Sequence, residues 1–148
     1  MPTASSTKKY IMDCRREVAY TSDEVGRIHR KRVLGGAVVR VTFATKIAYA
    51  LEVYEIVRKK GLVDFEYYKN AAASEFGVTD KTLSCPDIRY RTSFNASPSL
   101  IARLDSVKQV IQEALAGQGK VNRNFVVAIL FRIAIDFDRD SVHYVQEV

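Results

Sequence analysis

Polar and apolar positions alternate in two short stretches of this chain, and each stretch runs into a segment of helical periodicity. The first reads Val38-Val39-Arg40-Val41-Thr42-Phe43 and the second Arg89-Tyr90-Arg91-Thr92-Ser93-Phe94. A period of two predicts strands over residues 38–44 and 88–95, each with one apolar face. The other face carries Arg40 and Thr42 in the first, and Arg89, Arg91 and Ser93 in the second. A single strand leaves a row of backbone donors and acceptors unmet, so the two are expected to pair antiparallel within the chain.

The remaining periodicity is helical. Residues 8–20 fit a short helix with Tyr10, Ile11, Cys14 and Val18 near one face. Ser22, followed by Asp23 and Glu24, fits the N-cap of a helix reaching Val33, which Gly35-Gly36 ends. Thr45 is placed to cap a helix to Lys60, with Ile47, Ala50, Leu51, Tyr54 and Val57 at three-and-four spacing. Gly61 would end it in the left-handed conformation, and Asp64 would cap a further helix through Phe76, stopped by Gly77.

After the connector ending at Pro86, Ser97-Pro98 starts a helix with Ser as cap and Pro at the first helical position. Leu100, Leu104, Val107, Ile111 and Leu115 mark its apolar face. Gly117 and Gly119 bracket a turn, and Asn122 or Asn124 caps a last helix from about Phe125 to Phe137. That helix is apolar nearly all round, with Arg123 and Arg132 as its main interruptions. It belongs at the centre of the core or in a subunit interface, where the chain would self-associate through it.

Composition narrows the class. With 148 residues, 47% of them hydrophobic and 27% charged, the chain suits one globular domain or two very small ones. No apolar run approaches the roughly 20 residues of a membrane span, so no membrane partner is expected. The polar stretch 1–9 does not read as a secretory signal. Cys14 and Cys85 are the two cysteines, which suits reduced thiols in an intracellular, cytoplasmic protein. The net charge of +6 is uneven. Residues 1–74 hold 14 Lys and Arg against 8 Asp and Glu, and residues 75–148 are balanced. The densest run is Arg27-Ile28-His29-Arg30-Lys31-Arg32. Clustered basicity attracts polyanions by releasing counterions, although a solvated surface or an acidic protein partner accounts for it too.

Catalytic chemistry finds little purchase. His29 and His143 lack neighbours for a metal or nucleophile site, and Cys85 has no evident base partner. The acidic cluster Asp136, Asp138 and Asp140 falls where the last helix should end, without the turn glycine or closing Glu of a calcium loop, and reads as a solvated helix end. No enzyme activity and no cofactor are expected.

Strand, helix, a turn with Gly, then a helix entered through Asn: this order resembles the ribbon-helix-helix superfamily of DNA-binding proteins, the MetJ/Arc type. Residues 89–137 carry the better likeness, through Arg89-x-Arg91-x-Ser93-Phe94, Ser97-Pro98 and Gly119-Lys120-Val121-Asn122-Arg123-Asn124. Residues 38–76 carry a weaker one. The helix from Pro98 is long for the family, and Asn95 and Ala96 look inserted. The resemblance implies a mainly α fold with a short two-stranded antiparallel ribbon, a tandem ribbon-helix-helix pseudo-dimer similar to the single-chain double versions found among accessory factors of plasmid DNA transfer. It divides the chain into a basic arm with helices (1–36), a first unit (37–77), a connector (78–87) and a second unit with a tail (88–148).

The resemblance further implies double-stranded DNA as partner, for a transcriptional regulator or DNA-processing accessory factor. Arg40, Thr42, Arg89, Arg91 and Ser93 would face base edges in the major groove. Val39, Val41, Tyr90, Thr92 and Phe94 would face the core. Asn122 and Arg123, at the start of the last helix, would hold a phosphate, and Arg30, Lys31 and Arg32 would add general attraction. The alternative is a mainly helical structural nucleoprotein, a filament coat or a small subunit of a nucleic-acid-bound complex. Its abundant aromatics would then serve subunit packing.

Overall fold

Residues 90–96 form a strand, as the alternation predicts, but the strand that completes its hydrogen bonding comes from the N-terminal end of the chain. The computed structural model describes residues 7–14, 16–36, 41–76 and 90–145, with backbone alone at 12–14, 16–20, 72–76 and 90–92. The elements are β1 (Lys8–Cys14), α1 (Arg16–Arg32), α2 (Phe43–Lys60), α3 (Phe65–Phe76), β2 (Tyr90–Ala96), α4 (Pro98–Ala114) and α5 (Arg123–Asp138). The protein is mainly helical, and the described residues form one two-stranded antiparallel sheet.

In that sheet Lys8 faces Ala96, Ile11 faces Ser93 and Cys14 faces Tyr90. Tyr10 and Phe94 lie opposite each other and turn inward, their rings stacked with centroids 5.9 Å apart. Phe43 at the start of α2 continues the aromatic contact, 5.3 Å from Phe94 and 5.6 Å from Phe131 of α5. This ring series fixes the ribbon to the helical core.

Three expectations are corrected here. The first is the helix over residues 8–20: Lys8–Cys14 is a strand and the helix begins at Arg16. Tyr10 and Ile11 fit a helix face locally, but a seven-residue ladder with β2 satisfies backbone groups that β2 otherwise leaves unmet. The second is the strand over residues 38–44. Thr42 is the N-cap of α2, its hydroxyl accepting from the Thr45 N–H at 3.1 Å, so Phe43 and Ala44 are helical. Val38, Val39 and Arg40 lie outside the described residues. The third is Asn95 and Ala96 as an insertion: both are paired residues of β2.

Smaller shifts have local causes. Ser22 lies inside α1, not at its cap; it is buried and accepts a hydrogen bond from Lys46 at 3.0 Å. Gly61 ends α2 with a φ of 172°, which is extended backbone. A side chain there would meet Tyr144, whose Cδ1 is 2.9 Å from the position of a Cβ, so close approach explains the glycine. Other caps form as expected: Ser97 accepts from Leu100 N–H at 3.2 Å with Pro98 in the first turn, Asn122 from Phe125 N–H at 2.9 Å, and Asp64 from Tyr67 N–H at 3.0 Å.

α5 is the core helix. From Phe125 to Ile135 every apolar side chain is buried, packed by α1, α2, α3 and α4. The apolar surface that the sequence alone leaves open to a second copy is therefore covered within one chain.

α3 is tied to the end of α5 through Tyr68, which is 1% exposed. Its hydroxyl donates to the Asp136 carboxylate at 2.7 Å and accepts from the His143 N–H at 3.2 Å. Burial pushes this phenol well above its ordinary range. The unfolded chain releases that proton near pH ~10, so this contribution to stability is present below that pH and is lost as the pH rises beyond it. Tyr68→Phe leaves both partners short of a hydrogen bond, and a loss of about 1–3 kcal/mol is expected in urea denaturation.

Candidate nucleic-acid interface

Alternation along the ribbon decides which side chains face out. Lys9 and Ile11 of β1, with Ser93 and Asn95 of β2, are exposed, and Lys9 pairs with Asn95 as Ile11 does with Ser93. Lys8 adds a second exposed cation at the end of β1. The outer face is thus short and mostly polar, with one apolar side chain, Ile11, at its middle.

Two helix N-termini flank it. The aromatic contact of Phe43 with Phe94 brings the start of α2 against β2. The Arg123 guanidinium lies 5.6 Å from the centre of the Tyr10 ring, which brings the start of α5 against β1. Each terminus has a side-chain cap, Thr42 in one and Asn122 in the other. Free N–H groups in a first helical turn give each end a partial positive charge.

The site residues expected from the sequence separate into three groups. Ser93 lies exposed on β2, and Arg91 lies on the same strand opposite Asp13, its side chain outside the described residues. Asn122 and Arg123 stand beside the ribbon, but Arg123 is held by Asp105 through a two-pronged contact at 3.1 and 3.2 Å. Thr42 caps α2 and is off the ribbon, while Arg40 and Arg89 lie outside the described residues.

Arg30, Lys31 and Arg32 form the third group, in the last turn of α1. Arg32 bonds Asp138, the last residue of α5, at 2.5 Å, and this contact raises the guanidinium pKa further. The run therefore lies at the opposite end of α5 from Asn122, about 24 Å away for 16 residues rising 1.5 Å each. Much of it has structural work. Ile28 and His29 are buried, with the imidazole edge-on to Tyr49 at 5.2 Å, and Arg27 bonds Glu24 at 2.6 Å. That hydrogen bond holds the Glu24 carboxyl below its ordinary range. Arg30 and Lys31 remain without an ion-pair partner among the described residues. Cations at this position also complement the negative end of the α1 dipole.

Of the acidic cluster expected as a solvated helix end, Asp140 is exposed, but Asp136 and Asp138 are engaged in the fold. Asp136 accepts from Tyr68, and the Asp138 side chain, 9% exposed, accepts from Arg32. His143 stacks on Tyr67 with centroids 3.5 Å apart. Among the described residues no group of three or more His, Cys, Asp or Glu is placed to hold a metal ion. Nor is any helix among them long and apolar enough to cross a membrane.

Lys9, Ile11 and Asn95 are the ribbon residues that sequence reasoning missed. The sequence carries no local signal that separates Lys9 and Ile11 from a helix face; only in the fold do the parts match, β1 and β2 having seven residues each and each leading after one residue into a helix of 17. Comparison with known proteins finds no family model, no curated protein and no solved structure that matches this chain.

Proposed function

We propose that this chain binds duplex DNA by laying the outer face of the β1–β2 ribbon in the major groove, as a regulator or a DNA-processing accessory factor. The observation that carries the reading is a ribbon closed within one chain, with a polar exposed outer face between two capped helix N-termini. A two-stranded ribbon fits the major groove, where Asn recognises adenine, Lys recognises guanine and apolar groups meet the thymine methyl. Asn95, Lys9 and Ile11 carry those three chemistries, with Ser93 able to donate or accept. The N–H groups opening α2 and α5 suit phosphates on either side.

The tandem ribbon-helix-helix pseudo-dimer has support in the symmetry of the parts. β1–α1–α2 and β2–α4–α5 are two strand–helix–helix units with matching strand and first-helix lengths. Ile11 and Ser93, at the same place in their strands, face each other, as a two-fold axis between the units requires. Thr42 and Asn122 cap the second helix of each unit in the same way. On this reading the first unit spans residues 8–60 instead of 37–77, with α3 inserted before the second.

A duplex selected from a randomised pool and its scrambled counterpart test the proposal in fluorescence anisotropy, with sedimentation to count chains. One chain per site is expected, with preference for the selected duplex. Binding to any nucleic acid alike, with chains polymerising along it, would favour the structural nucleoprotein instead.

A further inference from the structure

The two sides of the helical bundle are not equally closed. α1 and α5 pack against each other extensively, and Ile28 of α1 is fully buried. α2 and α4 meet over only a few residues. Val110, which lies as far into α4 as Ile28 lies into α1, stays 43% exposed.

The gap on this side is a cavity of about 450 Å³ between α2, α3 and α4. Leu51, Tyr54, Phe65 and Val107, all buried, form its apolar floor. Val110 and the 69% exposed Leu62 stand at its mouth. Arg58, Arg103 and Glu55 are the charged residues of its lining. Arg58 is held by Glu55 at 3.2 Å, while Arg103 has no hydrogen-bond or ion-pair partner among the described residues.

Pockets of roughly 300–1,000 Å³ suit small molecules, where an apolar lining supplies affinity and a few polar groups fix orientation. An uncommitted guanidinium beside an apolar floor selects a carboxylate, whose two oxygens match the planar fork, and disfavours an ammonium group. We propose that this cavity binds a small amphipathic carboxylate, its hydrocarbon body over Leu51, Tyr54, Phe65 and Val107 and its carboxylate on Arg103. No ribbon residue lines the cavity, although Arg103 also borders a shallow depression shared with Asn95 and Ala96, and the proposal does not depend on the reading of the chain as a DNA-binding protein. Its concave shape favours such a molecule over a flat protein partner.

Isothermal titration calorimetry of the whole chain with decanoate, decanol and decylamine tests it. Decanoate should bind once per chain, roughly tenfold or more tighter than decanol, and decylamine should be weakest. Arg103→Gln, an exposed change that leaves the floor intact, should bring decanoate down to the level of decanol. Val110→Trp should obstruct the mouth and weaken all three, with circular dichroism unchanged. Methyl resonances of Leu51, Val107 and Val110 should shift with decanoate in the unmodified chain. Equal binding of the three probes, or no binding of decanoate up to on the order of 1 mM, overturns the proposal. So does self-association of the chain that Val110→Asp abolishes, which would make the gap a contact between copies.

Discussion

Replacing Lys9 and Asn95 together by alanine is expected to erase the preference of this chain for a selected duplex over a scrambled one. Each good base contact contributes about 1–3 kcal/mol of discrimination, so the pair should change the ratio by on the order of 100-fold. Both side chains are exposed on the outer face of the ribbon, opposite each other, and neither packs in the core. The fold should therefore persist in the double variant. Arg30→Ala with Lys31→Ala is the informative contrast. These residues are at the far end of α5, about 24 Å from the ribbon, against a Debye length of about 8 Å at physiological salt. Their loss should alter affinity for either duplex by less than about twofold under those conditions. Arg32 is unsuitable for the comparison, because its removal would leave the largely buried Asp138 carboxylate without its partner. Anisotropy titrations at several salt concentrations read out both variants. If the two behave alike, and the unmodified chain shows no preference, the ribbon is not the surface that reads DNA.

What the sequence revealed follows the range over which each signal acts. Ser97-Pro98 and Asn122 define helix starts through contacts three residues away, so the beginnings of α4 and α5 were legible. The all-round apolar character of α5 likewise announced its central place. β1 was not legible, because Tyr10 and Ile11 satisfy a helix and a strand equally well over so short a stretch. The deciding term is the ladder to β2, whose residues are more than half the chain away. The alternation in Val38 to Phe43 misled for the opposite reason. A local device, the Thr42 cap, starts a helix at Phe43, so the last two residues of the expected strand are helical.

The same distinction explains the site. Ser93 is legible because its strand is, whereas Lys9 and Ile11 lie in a segment whose pattern suits a helix. Asn95 departs from the family pattern and reads as an insertion, although it belongs to the ladder. The roles of Asp136 and Asp138 depend on Tyr68 and Arg32, partners that only the tertiary fold brings near. The cavity between α2 and α4 arises from incomplete packing of two helices, and periodicity within either one carries no trace of it.

Ile129→Ala should cost about 2–5 kcal/mol, the range for deleting most of a fully buried branched side chain. Ile129 is 0% exposed in the middle of α5, as is Ile133 one turn on. α5 has neighbours on every side: α1, α2, α3 and α4 all pack on it, and Phe131 carries the aromatic contact toward the ribbon. So many rigid neighbours limit collapse around the lost methyl groups, which favours the upper part of the range. Stability for a domain of this size is typically about 5–15 kcal/mol, so one such change removes a large share of it. Ile133→Val gives the graded control, with about 0.5–1.5 kcal/mol expected for one methylene. Asn122→Ala, which removes the cap that bonds Phe125 N–H, should cost about 0.5–2 kcal/mol, below Ile129→Ala. Urea denaturation with an unchanged slope separates these losses from changes in the unfolded chain. An Ile129→Ala cost below about 1 kcal/mol would mean that α5 yields to a cavity, and would remove the rigid support on which the ribbon's geometry depends.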